Sequence, residues 1–284
     1  IGYVPQQDIV HRRITIAQAL GYTARLRLPA DTSAAEIETL VAQVLERVGL
    51  GEKANQPIDT PAPLSGGQLK RVSLASELVA NPSVLFLDEA TSGLDAGTDK
   101  RMMRLFADLA ADGRTVACVT HTLENVDACD LVAVLYAGRL VYFGPPAGVQ
   151  THFGIRRLPD VYDTLERAAP EVWADRFARS SFHRTYVAER LAASPAAPSM
   201  NRTPEIVTAA PRWFDLRQAR LLISRYLALI AADRRNLLIL LAQAPVIALV
   251  IGLVFDASGS LPERAKVQGQ VSFMLVIAAI WFGC

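Results

Sequence analysis

The chain has 284 residues, enough for one or two domains, and its charges nearly cancel, with 29 lysines and arginines against 28 aspartates and glutamates. A net charge of +1 gives no support for a nucleic-acid partner, because binding to phosphate backbones needs an excess of basic side chains. The hydrophobic share of 51% and the mean hydropathy of +0.23 are high for a soluble protein, and the excess lies at the C-terminus.

The first third of the chain predicts two helices, the second of which begins at a pair of glycines. Ser33 and Glu36 have the spacing of a capping box, and apolar residues at helical spacing follow them until Gly49. A proline-containing loop over 51–63 then leads to Ser65-Gly66-Gly67-Gln68, which opens a second helical pattern. Two adjacent glycines at a helix start expose backbone N–H groups, which are what a phosphate needs for binding.

The next part of the chain alternates short apolar strands with helices. The first strand ends in Asp88-Glu89, two carboxylates of the kind that a Mg²⁺-nucleotide needs beside it. This alternation indicates an α/β domain with a parallel sheet covered by helices. The strands are predicted at 84–87, 115–119 and 131–136, with a helix at 100–111 and an edge hairpin strand at 139–143.

Beyond residue 155 the pattern loosens. Residues 156–211 mix short helical pieces with a stretch rich in Ala, Pro and Ser, and we interpret them as a linker. Residues 212–234 predict an amphipathic helix whose arginines, among them Arg217 and Arg220, lie off the apolar stripe. Such a helix is suited to lying along lipid headgroups, and the alternative is a helix packed on the α/β domain.

Residues 235–284 predict the start of a transmembrane domain. The run 237–255 contains no charge and matches the ~20 residues that a helix needs to cross a bilayer. Arg234 and Arg235 precede it, which places that end in the cytoplasm. A second apolar run from residue 271 is too short to span, so we expect the C-terminus to be cut.

An ordered set of motifs resembles the ATP-binding cassette (ABC) ATPases, which have a P-loop NTPase-type α/β fold with a helical subdomain, here expected at about 14–80 of an ATPase domain 1–155. The motifs are a glutamine loop at 2–6 with Gln6, a signature at 64–68, a Walker B strand at 84–88, the carboxylate Glu89, a D-loop at 92–95 and the switch residue His121.

The resemblance implies a chemical role for four side chains. Asp88 would hold Mg²⁺, and Gln6 would touch the same ion. Glu89 would act as general base towards the attacking water, and His121 would contact the γ-phosphate. ATP and Mg²⁺ are therefore the expected substrate and cofactor.

The resemblance also implies a dimer. Ser65, Gly66, Gly67 and Gln68 would bind nucleotide that is held by the phosphate loop of an opposite subunit, and Asp95 would lie at the seam. The chain itself contains no Gly-x-x-x-x-Gly-Lys-Ser/Thr. Since the family has that loop before the glutamine loop and residue 1 is not Met, we expect an N-terminal truncation, and the alternative is a protein without its own phosphate loop.

The order of ATPase first and membrane helices second resembles the G subfamily of ABC half-transporters and its bacterial relatives. The strings 22–29 and 138–145 agree with that subfamily, whereas Gln68 and Ala90 depart from its usual residues. This resemblance implies a multi-pass plasma-membrane protein with a cytoplasmic ATPase, which acts as a homodimer or as a heterodimer with another half-transporter and exports lipid or hydrophobic compounds.

Two other functions are compatible with the motifs. A soluble ABC ATPase is disfavoured by the uncharged run 237–255. A catalytically silent membrane partner, which lends its signature motif to another subunit, is disfavoured by the intact Glu89 and His121.

Overall fold

The structure, a computed structural model, describes residues 1–7, 10–59, 62–193, 215–254, 266–274 and 276. The chain divides into two units, Ile1–Leu221 and Leu222–Cys284. The strands are β1 (Gly2–Val4), β2 (Val84–Asp88), β3 (Thr115–Val119), β4 (Val132–Tyr136) and β5 (Arg139–Gly144). The helices are α1 (Ile16–Arg27), α2 (Ala34–Arg47), α3 (Gly66–Leu78), α4 (Ala96–Ala111), α5 (Pro146–Phe153), α6 (Val161–Leu165), α7 (Pro170–Ala178), α8 (Ser181–His183), α9 (Glu189–Ala193), α10 (Leu216–Ala232) and α11 (Arg234–Val254).

Strands β1, β2 and β3 form a parallel sheet in that order. The parallel pairing of β2 with β3 was predicted, whereas β1 was not predicted as a strand, and the strand predicted at 131–136 pairs with β5 in a separate antiparallel sheet instead of joining this one. Leu85 and Leu87 of β2 are buried, and they drive the strand into the core. Asp88 pairs with Val119 at the carboxyl end of the sheet. Because the carboxyl ends of parallel strands lie at one edge, the loops after all three strands meet there.

Helices α1, α2 and α3 each begin with a complete capping box. The box predicted at Ser33 and Glu36 is confirmed, with Ser33 N–H donating to Glu36 Oε2 at 2.7 Å. Ser65 and Gln68 make the same pair of hydrogen bonds at the start of α3. A capping box satisfies two of the N–H groups that a helix start leaves without partners, so the sequence fixes these boundaries locally.

The antiparallel hairpin β4–β5, predicted from the sequence, carries an apolar core of its own. Tyr142 of β5 is fully buried, and its hydroxyl donates to the carbonyl of Pro145 at 2.6 Å. Helices α5, α7 and α8 supply aromatic rings that pack around it, and we call this set the aromatic cluster. It consists of Tyr142, His152, Phe153, Trp173, Phe177 and Phe182.

The aromatic cluster gives residues 158–178, which we interpreted as part of a linker, a packed helical structure. Trp173 and Phe177 are 6% and 2% exposed. Their burial against β5 stabilises short helices that have weak local patterns by themselves. The Ala-, Pro- and Ser-rich stretch lies mostly outside the described residues, which stop at 193 and resume at 215.

The second unit contains most of α10, all of α11 and a helical segment at 266–274. The exposed apolar side chains of α10 include Ile223, Tyr226 and Leu227. Among the helices of the described residues, none combines the length and apolarity that crossing a membrane requires. The span predicted at 237–255 is therefore not confirmed, and most of the second predicted run lies outside the described residues.

Candidate functional site

The carboxylate of Glu89 lies between two other predicted site residues. Gln6 Nε2 donates to Glu89 Oε2 at 2.7 Å, and His121 Nδ1 lies 3.6 Å from Glu89 Oε1. These three residues follow β1, β2 and β3, so the parallel sheet brings together side chains that are up to 115 positions apart in sequence. The imidazole is 61% exposed and the Glu89 side chain 28%, which leaves the group open to a ligand.

Glu89 has an unusual backbone conformation. Its φ is 48°, in the left-handed region that side chains other than glycine rarely adopt. The Glu89 N–H donates to the carbonyl of Val119 at 3.0 Å, and the Glu89 carbonyl accepts from Ser92 N–H at 3.0 Å. These bonds hold a conformation that costs about 1–3 kcal/mol in isolation, and such strained residues cluster at functional sites.

Asp88 lies next to Glu89 at the end of β2, and its carboxylate accepts from a tyrosine. Tyr3 Oη donates to Asp88 Oδ2 at 3.0 Å, and this hydrogen bond raises the pKa of Tyr3. The site thus offers two carboxylates and the Gln6 amide, which are the hard oxygen ligands that Mg²⁺ takes together with water and phosphate. Within the described residues no group of three acidic, histidine or cysteine side chains is arranged to hold a metal ion.

A buried lysine joins the glutamine loop to the helix that follows the signature. Lys70 of α3 is 8% exposed, and its ammonium donates to the carbonyl of Gln6. Because a buried ammonium needs its hydrogen bonds satisfied, this contact fixes the backbone of the loop against α3. The sequence placed Lys70 on the helix but gave no signal for this partner.

The signature residues lie against the start of α4. Ser65 and Gln68 cap α3, while a Cβ atom on Gly67 would lie 2.8 Å from Thr98 Cγ2. Beyond its own helix and chain neighbours, a Cβ on Gly66 would meet no described atom within 4 Å. The two glycines therefore differ, since Gly67 allows close packing against Thr98, whereas Gly66 is exposed.

Asp95 caps α4, and it accepts from Thr98 N–H at 2.9 Å. The hydrogen bonds with Thr98 lower the pKa of Asp95. The D-loop and the signature thus form one surface, because Thr98 contacts Gly67 and also binds the Asp95 cap.

A further contact at the switch loop was missed by the sequence analysis. Tyr162 Oη, from α6, donates to the backbone carbonyl of His121 at 3.0 Å. The two residues are 41 positions apart, and α6 lies in the range that we interpreted as a linker, so no local pattern predicts their contact.

Comparison with known proteins agrees with these motifs. The family described as ABC transporter matches residues 1–92. The ABC transporter ATP-binding/permease protein Rv1747 of Mycobacterium tuberculosis is 34% identical over 290 aligned positions, which cover all of this chain and 32% of that protein. The likeness to an ABC transporter protein thus extends over the whole chain, and residues 1–92 also match the family itself.

The G-subfamily resemblance is also confirmed. ABC transporter G family member 30 of Arabidopsis thaliana is 41% identical over 150 residues, covering 51% of this chain and 11% of that protein. The broad substrate specificity ATP-binding cassette transporter ABCG2 of Bos taurus is 34% identical over 157 residues, covering 54% and 24%. The chain spans about a third or less of the length of each of these relatives.

Proposed function

We propose that this chain is part of the ATP-hydrolysing subunit of a membrane transporter of the ABC G-subfamily type. The observation that carries the proposal is the position of Glu89, whose carboxylate accepts from Gln6 at 2.7 Å and lies 3.6 Å from the imidazole of His121. Two polar side chains, Gln6 and His121, which the sheet brings beside the partly exposed carboxylate of Glu89, fit hydrolysis of a phosphoanhydride. In that reaction, positioning and charge neutralisation matter more than covalent catalysis.

Each side chain has a distinct part in this proposal. Glu89 accepts a proton from the attacking water, and the Gln6 amide orients the carboxylate for that step. His121 donates a hydrogen bond to the γ-phosphate, whose negative charge grows in the transition state. Asp88 and Gln6 would hold Mg²⁺, and that ion would supply charge neutralisation of the phosphates.

We further propose a dimer, either of two copies or with a related half-transporter. Beyond its own helix and chain neighbours, no described atom lies within 4 Å of a Cβ placed on Gly66, and backbone N–H groups at a helix start suit a γ-phosphate. Nucleotide bound by the opposite subunit would fill this surface, with Gln68 and Asp95 beside it.

The remaining part of the proposal concerns the membrane. Helix α10 carries Arg217, Arg220 and Arg225 together with exposed Ile223 and Leu227, a combination suited to lipid headgroups. We propose that α11 and the segments after it enter the bilayer of the plasma membrane, that the ATPase part is cytoplasmic, and that the transported compounds are lipids or other hydrophobic molecules.

The Glu89→Gln variant of the full-length protein in liposomes tests the proposal. We expect steady-state ATP hydrolysis to fall at least about 100-fold, because the amide cannot accept the proton, while ATP-driven dimerisation persists. The matched control is Glu189→Gln, which removes an exposed carboxylate from α9 and should leave hydrolysis unchanged.

Retained turnover in Glu89→Gln would contradict the general-base role. Absence of turnover in the wild-type protein, with restoration by an ABC subunit that has an active site of its own, would instead support the silent-partner alternative.

A further inference from the structure

We propose that Tyr162 is a positioning residue for the switch loop, and that it fixes the backbone of His121 through the carbonyl group. This inference rests on the proposed role of His121 in hydrolysis. The main evidence for the inference is the 3.0 Å hydrogen bond that Tyr162 Oη donates to the His121 carbonyl. An imidazole that must meet a γ-phosphate is effective only when its own backbone is held in place.

The helix that presents Tyr162 is anchored to the core. Val161 and Leu165, on either side of Tyr162 in α6, are 4% and 5% exposed, and Trp173 Nε1 donates to the Leu165 carbonyl at 3.1 Å. Tyr162 itself is 50% exposed, so its hydroxyl reaches out from a fixed base. The hydrogen bond to the switch loop therefore constrains the loop more than it constrains the helix.

The switch loop has few other constraints at this point. Thr122 N–H donates to Thr120 Oγ1 at 3.1 Å, a bond within the loop, and Leu123 packs against the apolar core that contains Val161. The imidazole of His121 is 3.6 Å from Glu89 and largely exposed. The Tyr162 hydroxyl thus connects His121 to α6, and in this proposal Tyr162 contacts neither the attacking water nor the phosphate.

The test removes this hydroxyl alone. In Tyr162→Phe of the full-length protein in liposomes, we expect kcat for ATP hydrolysis to fall about two- to tenfold, the range that one neutral hydrogen bond is worth. KM for ATP should change less than twofold, because the hydroxyl does not contact the nucleotide, and Tm should stay within about 2 °C. The control is Tyr186→Phe, which removes a tyrosine hydroxyl from the helical turn at Arg184–Ala188 and should leave kcat and KM unchanged.

A double variant shows whether Tyr162 acts through His121. If it does, adding Tyr162→Phe to His121→Ala will not lower the residual rate further, and an additive loss would overturn the inference. An unchanged kcat in Tyr162→Phe would also overturn it. Both outcomes are distinct from failure of the proposed function, in which His121→Ala by itself would retain wild-type turnover.

Discussion

The residues proposed to bind nucleotide and the aromatic cluster differ in how tightly the chain packs around them. Beyond its own helix and chain neighbours, a Cβ on Gly66 would meet no described atom within 4 Å, and at the sheet edge Glu89 has a strained backbone beside an exposed imidazole. In the aromatic cluster, a Cβ on Gly148 would collide with Tyr142 Oη and would lie 2.5 Å from Phe182 Cε1. The first set of residues leaves space for the proposed nucleotide, whereas the rings of the aromatic cluster pack closely against one another.

The most direct test of this difference is to place the same side chain in both regions. Gly66→Val should lower ATP hydrolysis at least about 100-fold, because the isopropyl group fills the space proposed for phosphate, while Tm stays within about 2 °C. Gly148→Val should destabilise the first unit by about 1–3 kcal/mol or more through overpacking, without a direct effect on the site. ATPase assays and thermal unfolding of the two full-length variants measure both effects.

If Gly66→Val lowers Tm as much as Gly148→Val does, the open side of Gly66 is an internal packing surface and the proposed phosphate position is wrong. If Gly148→Val folds normally, the crowding in the aromatic cluster is smaller than the distances indicate.

A smaller effect is expected at Gln6, which separates orientation from proton transfer at the sheet edge. Gln6→Ala removes the 2.7 Å hydrogen bond to Glu89 and the proposed Mg²⁺ contact but leaves the proposed base in place, so kcat should fall about tenfold. Gln7→Ala is the matched control, since Gln7 is the next residue along and is exposed. If the loss in Gln6→Ala is as large as that in Glu89→Gln at every Mg²⁺ concentration, the smaller, orienting role proposed for Gln6 is wrong.

The sequence predicted the elements whose signals are local, and it missed the contacts that only the fold creates. The capping box at Ser33 and the strand at 115–119 were predicted because their side-chain patterns determine them directly. The helices at 158–178 were underestimated, since Trp173 and Phe177 stabilise them only by packing on β5. No pattern in the sequence indicates that the hydroxyl of Tyr162 reaches His121 or that Lys70 reaches Gln6.

The smallest expected effect lies in the aromatic cluster and concerns pH. His152 is 6% exposed, and its Nε2 has no hydrogen-bond partner among the described residues. Burial lowers the pKa of His152, and the positive charge of Arg176 lowers it further, against a hydrogen bond with the backbone of Val141 that raises it. The imidazole is therefore neutral in the fold at a pH where part of the unfolded chain is protonated.

This lowered pKa makes the aromatic cluster less stable in acid. As pH falls through about 6.5, the ordinary value for histidine, the unfolded chain takes up a proton that the folded chain resists, so the free energy of unfolding decreases. His152→Phe keeps an aromatic ring and removes the titration, so its Tm should fall less between pH 7.5 and pH 5.5, by about 2–4 °C. ATP hydrolysis at pH 7.5 should be unchanged in this variant. If Tm falls equally in the variant and the wild-type protein, groups other than His152 determine the loss of stability in acid. If Tm falls less in the variant while ATP hydrolysis is unchanged, the loss arises in the aromatic cluster and not at the sheet edge.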